Sequence, residues 1–277
     1  MRLVAWNCNM ALHRKLASLP RPVPSAHSRQ RAMRLVAWNC NMALHRKLEA
    51  LLALKPDVAV LSECAAPERL AARLGAEALG GEPVWIGANR DKGLAVLAFN
   101  GYRARLAAES YRRSLRFIAP IRIEGPTAFN LLAVWAQNFS DGIRRKRQPG
   151  PLRLALTRDY RDFLGRGPAV VAGDFNNNIF WDKPGYLINH AHAVALLERY
   201  GLVSAYHHAR SERQGAETVP TLYWRDRRKD GPTYHIDYIF LPRAWAAGLR
   251  EMSVGSFEAW CGNGLSDHVP VVVDVVV

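Results

Sequence analysis

The sequence predicts an α/β (α+β) fold of two packed mixed β-sheets flanked by helices. Three features carry this reading. Apolar runs of strand length outnumber helical stretches, and four of them follow one another with no helix between. Hydrophobic residues make up 49% of the 277 positions and charged residues 22%, enough apolar side chains for a large core. From residue 33 to 277 no low-complexity linker divides the chain, so that stretch reads as one domain.

The first element is a duplication. Met1 to Leu16 recurs without change as Met33 to Leu48. A solenoid needs several stacked units, so a single repetition does not predict one. The copies continue differently. After Leu48 the chain runs on as Glu49-Ala50-Leu51-Leu52, whereas after Leu16 it meets Pro20, Pro22 and Pro24, which stop a helix. Residues 1–32 are therefore expected to be an extra or disordered leader. The second copy is expected to be the structural one.

Strands and helices then alternate. A strand is expected over Arg34–Trp38, a helix over Arg46–Leu54, and a strand over Val58–Leu61 that runs out at Glu63. A helix over Pro67–Ala78 follows, then strands near Pro83–Ile86, Gly93–Phe99, Phe117–Ile123 and Phe129–Trp135. A polar loop with the run Arg144-Arg145-Lys146-Arg147 leads to an amphipathic helix over Leu152–Leu164. The stretch Pro168–Asn176, whose apolar strand stops at Gly173-Asp174, a helix over Ala191–Tyr200, and strands near Thr221–Trp224, His235–Phe240 and Val269–Val277 complete the series.

Several of these strands stop at a polar residue. Asn39 follows Leu35-Val36-Ala37-Trp38, Glu63 follows Val58-Ala59-Val60-Leu61-Ser62, and Asp174 and Asn176 follow Val170-Val171. Asp267-His268 precedes Val269. Taken singly, such residues read as turns or caps. Asp237 differs, because a carboxylate amid the apolar residues of a strand costs energy unless paired, and His268 is the evident partner.

In this order the motifs resemble the endonuclease/exonuclease/phosphatase superfamily. They are Trp38-Asn39, Glu63 within LSEC, GDFN with Asp174 and Asn176, HIDYIF with Asp237, and SDHVPV with Asp267 and His268. The resemblance implies a four-layer sandwich and hydrolysis of phosphoesters with a divalent cation, Mg²⁺ or Mn²⁺. It makes Glu63 the main metal ligand with Asn39 and Asp267 nearby, an all-oxygen set that suits a hard cation. It makes Asp174 the base for the attacking water, held by Asn176, and His268, oriented by Asp237, the contact to the phosphoryl oxygens. Asn138, in Trp135-Ala136-Gln137-Asn138, is expected to keep a phosphate contact. Relatives often carry Tyr where Trp135 stands, and any mechanism that needs that phenol is in doubt here.

Two departures argue against a standard apurinic endonuclease. Those enzymes have a Lys close after the Glu, where this chain has Cys64-Ala65-Ala66-Pro67. Their GDFN-type motif continues differently from Asn177-Asn178-Ile179-Phe180-Trp181-Asp182-Lys183. The substrate class therefore rests on charge. The net charge is +14; the leader's six cations and no acid leave +8 for residues 33–277. A basic surface, with Trp181, Trp224 and Tyr223 near basic loops, favours nucleic acid. The leading expectation is a nuclease for DNA or RNA phosphodiesters. A phosphatase or phosphodiesterase for small or lipid phosphates comes second, and a catalytically silent binding member third.

The remaining histidines, His190, His192, His207 and His208, are expected to be solvated or capping. Cys8, Cys40, Cys64 and Cys261 show no paired spacing, which excludes a zinc ribbon and favours a reduced compartment. No run approaches the roughly 20 apolar residues of a membrane span. A cytoplasmic location is the expectation, with oligomeric state left open.

Overall fold

The computed structural model describes residues 31–75, 79, 81–136, 148–224 and 228–277. Its strands are β1 (Met33–Asn39), β2 (Val58–Cys64), β3 (Val84–Asn89), β4 (Lys92–Ala98) and β5 (Arg103–Leu106). They continue with β6 (Ile118–Glu124), β7 (Phe129–Trp135), β8 (Ala169–Asp174), β9 (Leu202–Ser204) and β10 (Leu222–Tyr223). The last are β11 (Thr233–Tyr234), β12 (Asp237–Pro242), β13 (Leu249–Val254) and β14 (Val271–Val275).

Two six-stranded sheets result, ordered β13-β14-β1-β2-β4-β3 and β5-β6-β7-β8-β12-β9, with β10 and β11 as a separate ribbon. Each large sheet is mixed. The pairs β1/β2 and β7/β8 are parallel and their other neighbours antiparallel.

The two-residue period of the strands builds the layers. Along β1, Leu35 and Ala37 join a core shared with Val170 and Ala172 of β8 and Leu131 and Ala133 of β7. That core lies between the sheets. Val36 and Trp38 point the other way, onto Leu44, Leu48, Leu51 and Leu70. On the second sheet Leu132, Val134, Val171 and Phe240 pack against Leu152, Leu156, Phe163, Val194 and Leu197. Three apolar interfaces thus separate four layers, as expected. The second copy of the repeat supplies β1; the first copy lies outside the described residues.

The expected helix over Leu152–Leu164 is broken. It runs as Pro151–Leu154, a wide turn over Ala155–Asp159, and Arg161–Gly165. The extra residue in the turn carries the fully buried Tyr160 inward, where its hydroxyl donates to the Ile118 carbonyl (3.0 Å) and accepts from the Arg112 N–H (3.1 Å). Edge strands β5 and β13 were not anticipated. In β13 the adjacent exposed Arg250 and Glu251 break the alternation that marks a strand, while β5 alternates but is only four residues long. Among the described residues no helix is long and apolar enough to cross a membrane.

Candidate active site

The site lies where β1 and β8 end. Gly173 lets β8 reach it: φ is +133°, and a Cβ there would stand 1.9 Å from the Val134 carbonyl oxygen of β7. The next residue, Asp174, pairs in register with Trp135 on one side and Asp237 on the other.

Asp174 is held by three hydrogen bonds. The Asn176 backbone N–H donates to Oδ1 (2.8 Å), while the Asn176 and Asn39 side-chain amides donate to Oδ2 (2.9 and 3.0 Å). Asn176 adopts φ 46°, a conformation that asparagine tolerates better than most residues and that folds its amide back onto the carboxylate. The same Asn39 amide lies 3.4 Å from Glu63 Oε1. Asn39 thus joins the two sheets by linking an acid on β2 to an acid on β8.

Glu63 is presented by strain. It has φ 55° inside a strand, and the β2/β4 register shifts between Leu61 and Cys64. Its Oε2 lies 3.1 Å from the Lys92 ammonium.

Asp267 and His268 arrive from the turn before β14. The Ser266 hydroxyl donates to the Asn39 carbonyl (2.7 Å) and accepts from the His268 N–H (3.0 Å). The Asn41 amide donates to Asp267 Oδ1 (3.0 Å), and Trp38 Nε1 donates to the His268 carbonyl (3.1 Å). His268 Nδ1 is 2.8 Å from Asp237 Oδ2, the pairing expected from the sequence. Its Nε2 makes no hydrogen bond among the described residues.

Asp174, Asp237 and His268 are all buried, and a ligand atom from each lies within 4.8 Å of the others. Burial and the facing Asp237 carboxylate push Asp174 up to about 7, against His268 and the amide hydrogen bonds. Burial alone would lower His268, but Asp237, with Asp174 and Asp267 adding to it, raises it to about 10. A cluster of this composition could hold an ion. Within it His268 Nδ1 is taken up by Asp237, which leaves Nε2 as the ring's remaining ligand atom.

Oxygen donors of the kind hard divalent cations take are also present in Asn39 Oδ1, Glu63 and Asp267. Hydrogen bonds tie these residues to one another through Asn39, Asn41 and Ser266. The donor chemistry fits.

Of the residues expected at the site, Asn39, Glu63, Asp174, Asn176, Asp237, Asp267 and His268 fall within this connected network. Asn138 and the 144–147 cluster lie outside the described residues. Asn41, Lys92 and Ser266 were missed, although Ser266 stands inside the quoted SDHVPV motif and Asn41 lies two residues past Asn39.

The run after Asn176 is scaffolding. The Asn177 amide donates to the Ile188 carbonyl (2.6 Å) and the Asn178 amide to Glu217 Oε2 (3.1 Å). Asp182 accepts from the His190 and Ala191 N–H groups (2.6 and 2.8 Å), capping the helix His190–Arg199. The histidine expectation needs correcting here. His190 is 1% exposed, and His207 lies between Ser204 and Glu217 (2.7 and 3.0 Å), because Tyr238 and Asn178 draw a polar cluster in behind β12. His192 and His208 are exposed, as expected.

The sequence model of the Endonuclease/Exonuclease/phosphatase family matches residues 36–268. Among solved structures, the 3′ phosphatase NExo from Neisseria, bound to product DNA hairpin, superimposes with a TM-score of 0.63. Its identity to this chain is 22%, and the match covers 89% of this chain and 100% of that one. The AP endonuclease LMAP from Leishmania major gives a TM-score of 0.64 at 16% identity, covering 88% of each chain. An AP endonuclease from Archaeoglobus fulgidus gives 0.61 at 19%, covering 88% of this chain and 100% of that one. No curated protein sequence matches the chain. The protein belongs to the Endonuclease/Exonuclease/phosphatase family, a superfamily of metal-dependent phosphoester hydrolases.

Proposed function

We propose that this family member is a divalent-metal-dependent phosphodiesterase that cleaves nucleic acid. The observation that carries this reading is the Asn39 amide, bonded at once to Asp174 and Glu63. It sets a base and a metal-holding acid side by side at the mouth of the two sheets.

Glu63, Asn39 and Asp267 would hold Mg²⁺ or Mn²⁺. When bound, the ion offsets charge on the phosphate and on the leaving oxygen. Asp174 takes the proton of the water that attacks phosphorus, and the two Asn176 hydrogen bonds fix the carboxylate's direction. As the new P–O bond forms and the bond to the leaving oxygen breaks, negative charge grows on the phosphoryl oxygens. His268, kept cationic and oriented by Asp237, meets that charge through its free Nε2.

Nucleic acid is favoured over small phosphates by the net charge and by the DNA-bound 3′ phosphatase of the same fold. Not every cation is available to a polyanion. Arg228 is paired with Asp230 (2.9 Å) and Lys229 with Glu258, so both cations are partly neutralised within the protein. A panel of DNA, RNA and phosphomonoesters incubated with Mg²⁺ or Mn²⁺ tests the reading. Turnover of DNA or RNA is expected; turnover confined to monoesters would replace it with a phosphatase.

A further inference from the structure

Glu63 divides its two oxygens. Oε1 faces Asn39 at 3.4 Å, and Oε2 faces the Lys92 ammonium at 3.1 Å. Lys92 opens β4 and runs into Gly93, which pairs with Cys64 of β2, so the hairpin brings its side chain back over the bulge. The ammonium also lies 5.2 Å from the centre of the Trp135 ring. Neither side chain of the ion pair is sealed: Lys92 is 38% exposed and Glu63 19%.

We propose that Lys92 is the resident counter-ion of Glu63 and competes with the divalent metal for that carboxylate. The inference rests on Glu63 as a metal-holding residue. A divalent ion that engages both Glu63 oxygens needs the ammonium to leave Oε2. The Trp135 face gives the displaced cation a favourable place beside the site, so exchange needs only a side-chain movement. Trp135 then has a role that a phenol does not duplicate as well, because the indole face binds cations more strongly.

Calorimetric titration of the full-length protein with Mn²⁺ alone tests this on wild type, Lys92→Met, Lys92→Arg and Glu63→Gln. Removing one positive charge a few ångströms from a partly exposed carboxylate is worth at least about fivefold in affinity. Lys92→Met is expected to bind Mn²⁺ tighter by that factor or more, Lys92→Arg to stay near wild type, and Glu63→Gln to bind more weakly. Lys92→Gln serves in the same role should the Met variant melt early. Equal or weaker Mn²⁺ binding by the charge-removed variant, with wild type binding normally, overturns the competition. Mn²⁺ binding that is the same in wild type and Glu63→Gln overturns instead the metal-holding role of Glu63, and this inference with it.

Discussion

Asp174 and Asp237 stand directly opposite one another on antiparallel β8 and β12, both within 1% of complete burial. Two carboxylates so placed cannot both ionise cheaply. One is accommodated by the His268 imidazole and the other by three amide hydrogen bonds. The arrangement trades stability for a carboxylate of raised pKa.

That trade predicts a split phenotype for Asp174→Asn. The neutral amide removes the like charge facing Asp237 but accepts at only one position, where Asp174 accepts from three donors through both oxygens, so the melting temperature should change little. Hydrolysis should fall by about 10² to 10⁴. Thermal melts and initial rates on one preparation read both quantities.

Asp237→Ala should be the more damaging change to the fold. It leaves the buried His268 without its partner, at a cost of about 3–5 kcal/mol. The double variant Asp237→Ala/His268→Leu removes both charges and should recover part of that loss. Denaturant unfolding of the two singles and the double measures the coupling; additive losses would contradict a paired charge.

Gly173→Ala should destabilise by more than about 2 kcal/mol, because backbone rather than a movable side chain blocks the new methyl. Urea midpoints check this. A neutral result would mean that β7 and β8 can part beside Asp174.

His190 gives a pH dependence remote from the phosphate chemistry. Burial lowers it from 6.5 to about 4, so between those values the unfolded chain binds the extra proton. Its contribution is intact above about pH 6.5 and lost as pH falls toward 4, to the extent of about 3 kcal/mol. Comparing urea unfolding of wild type and His190→Leu at pH 7.5 and 5 isolates it. The variant should lose less stability on acidification.

The strand ends were legible only as a set: singly each reads as a turn or cap, and the five motifs in order carried the resemblance. Asp237 was plainest, since its burial in β12 requires His268. Other parts were not legible, for separate reasons. Lys92 begins a strand after a turn, where a lysine reads as solvated, and only the bulge at Glu63 brings the two together. His190 sits at a helix start, a place that looks like a cap, yet Asp182 does the capping and the ring stacks on Tyr238 (4.8 Å between centroids). The sequence ranked Asn177 to Lys183 as the clue to subfamily. In the fold the Asn177, Asn178 and Asp182 side chains anchor that loop, while Phe180 between them stands exposed.

The proposed enzyme is a metal-dependent phosphodiesterase with Asp174 as its base. Cleavage of an end-labelled DNA duplex and a single strand, by wild type and Asp174→Asn with and without Mg²⁺, tests it most directly. Wild type is expected to cleave until a chelator is added, and the folded variant to lose at least about 10² in rate. Undiminished cleavage by Asp174→Asn would contradict it.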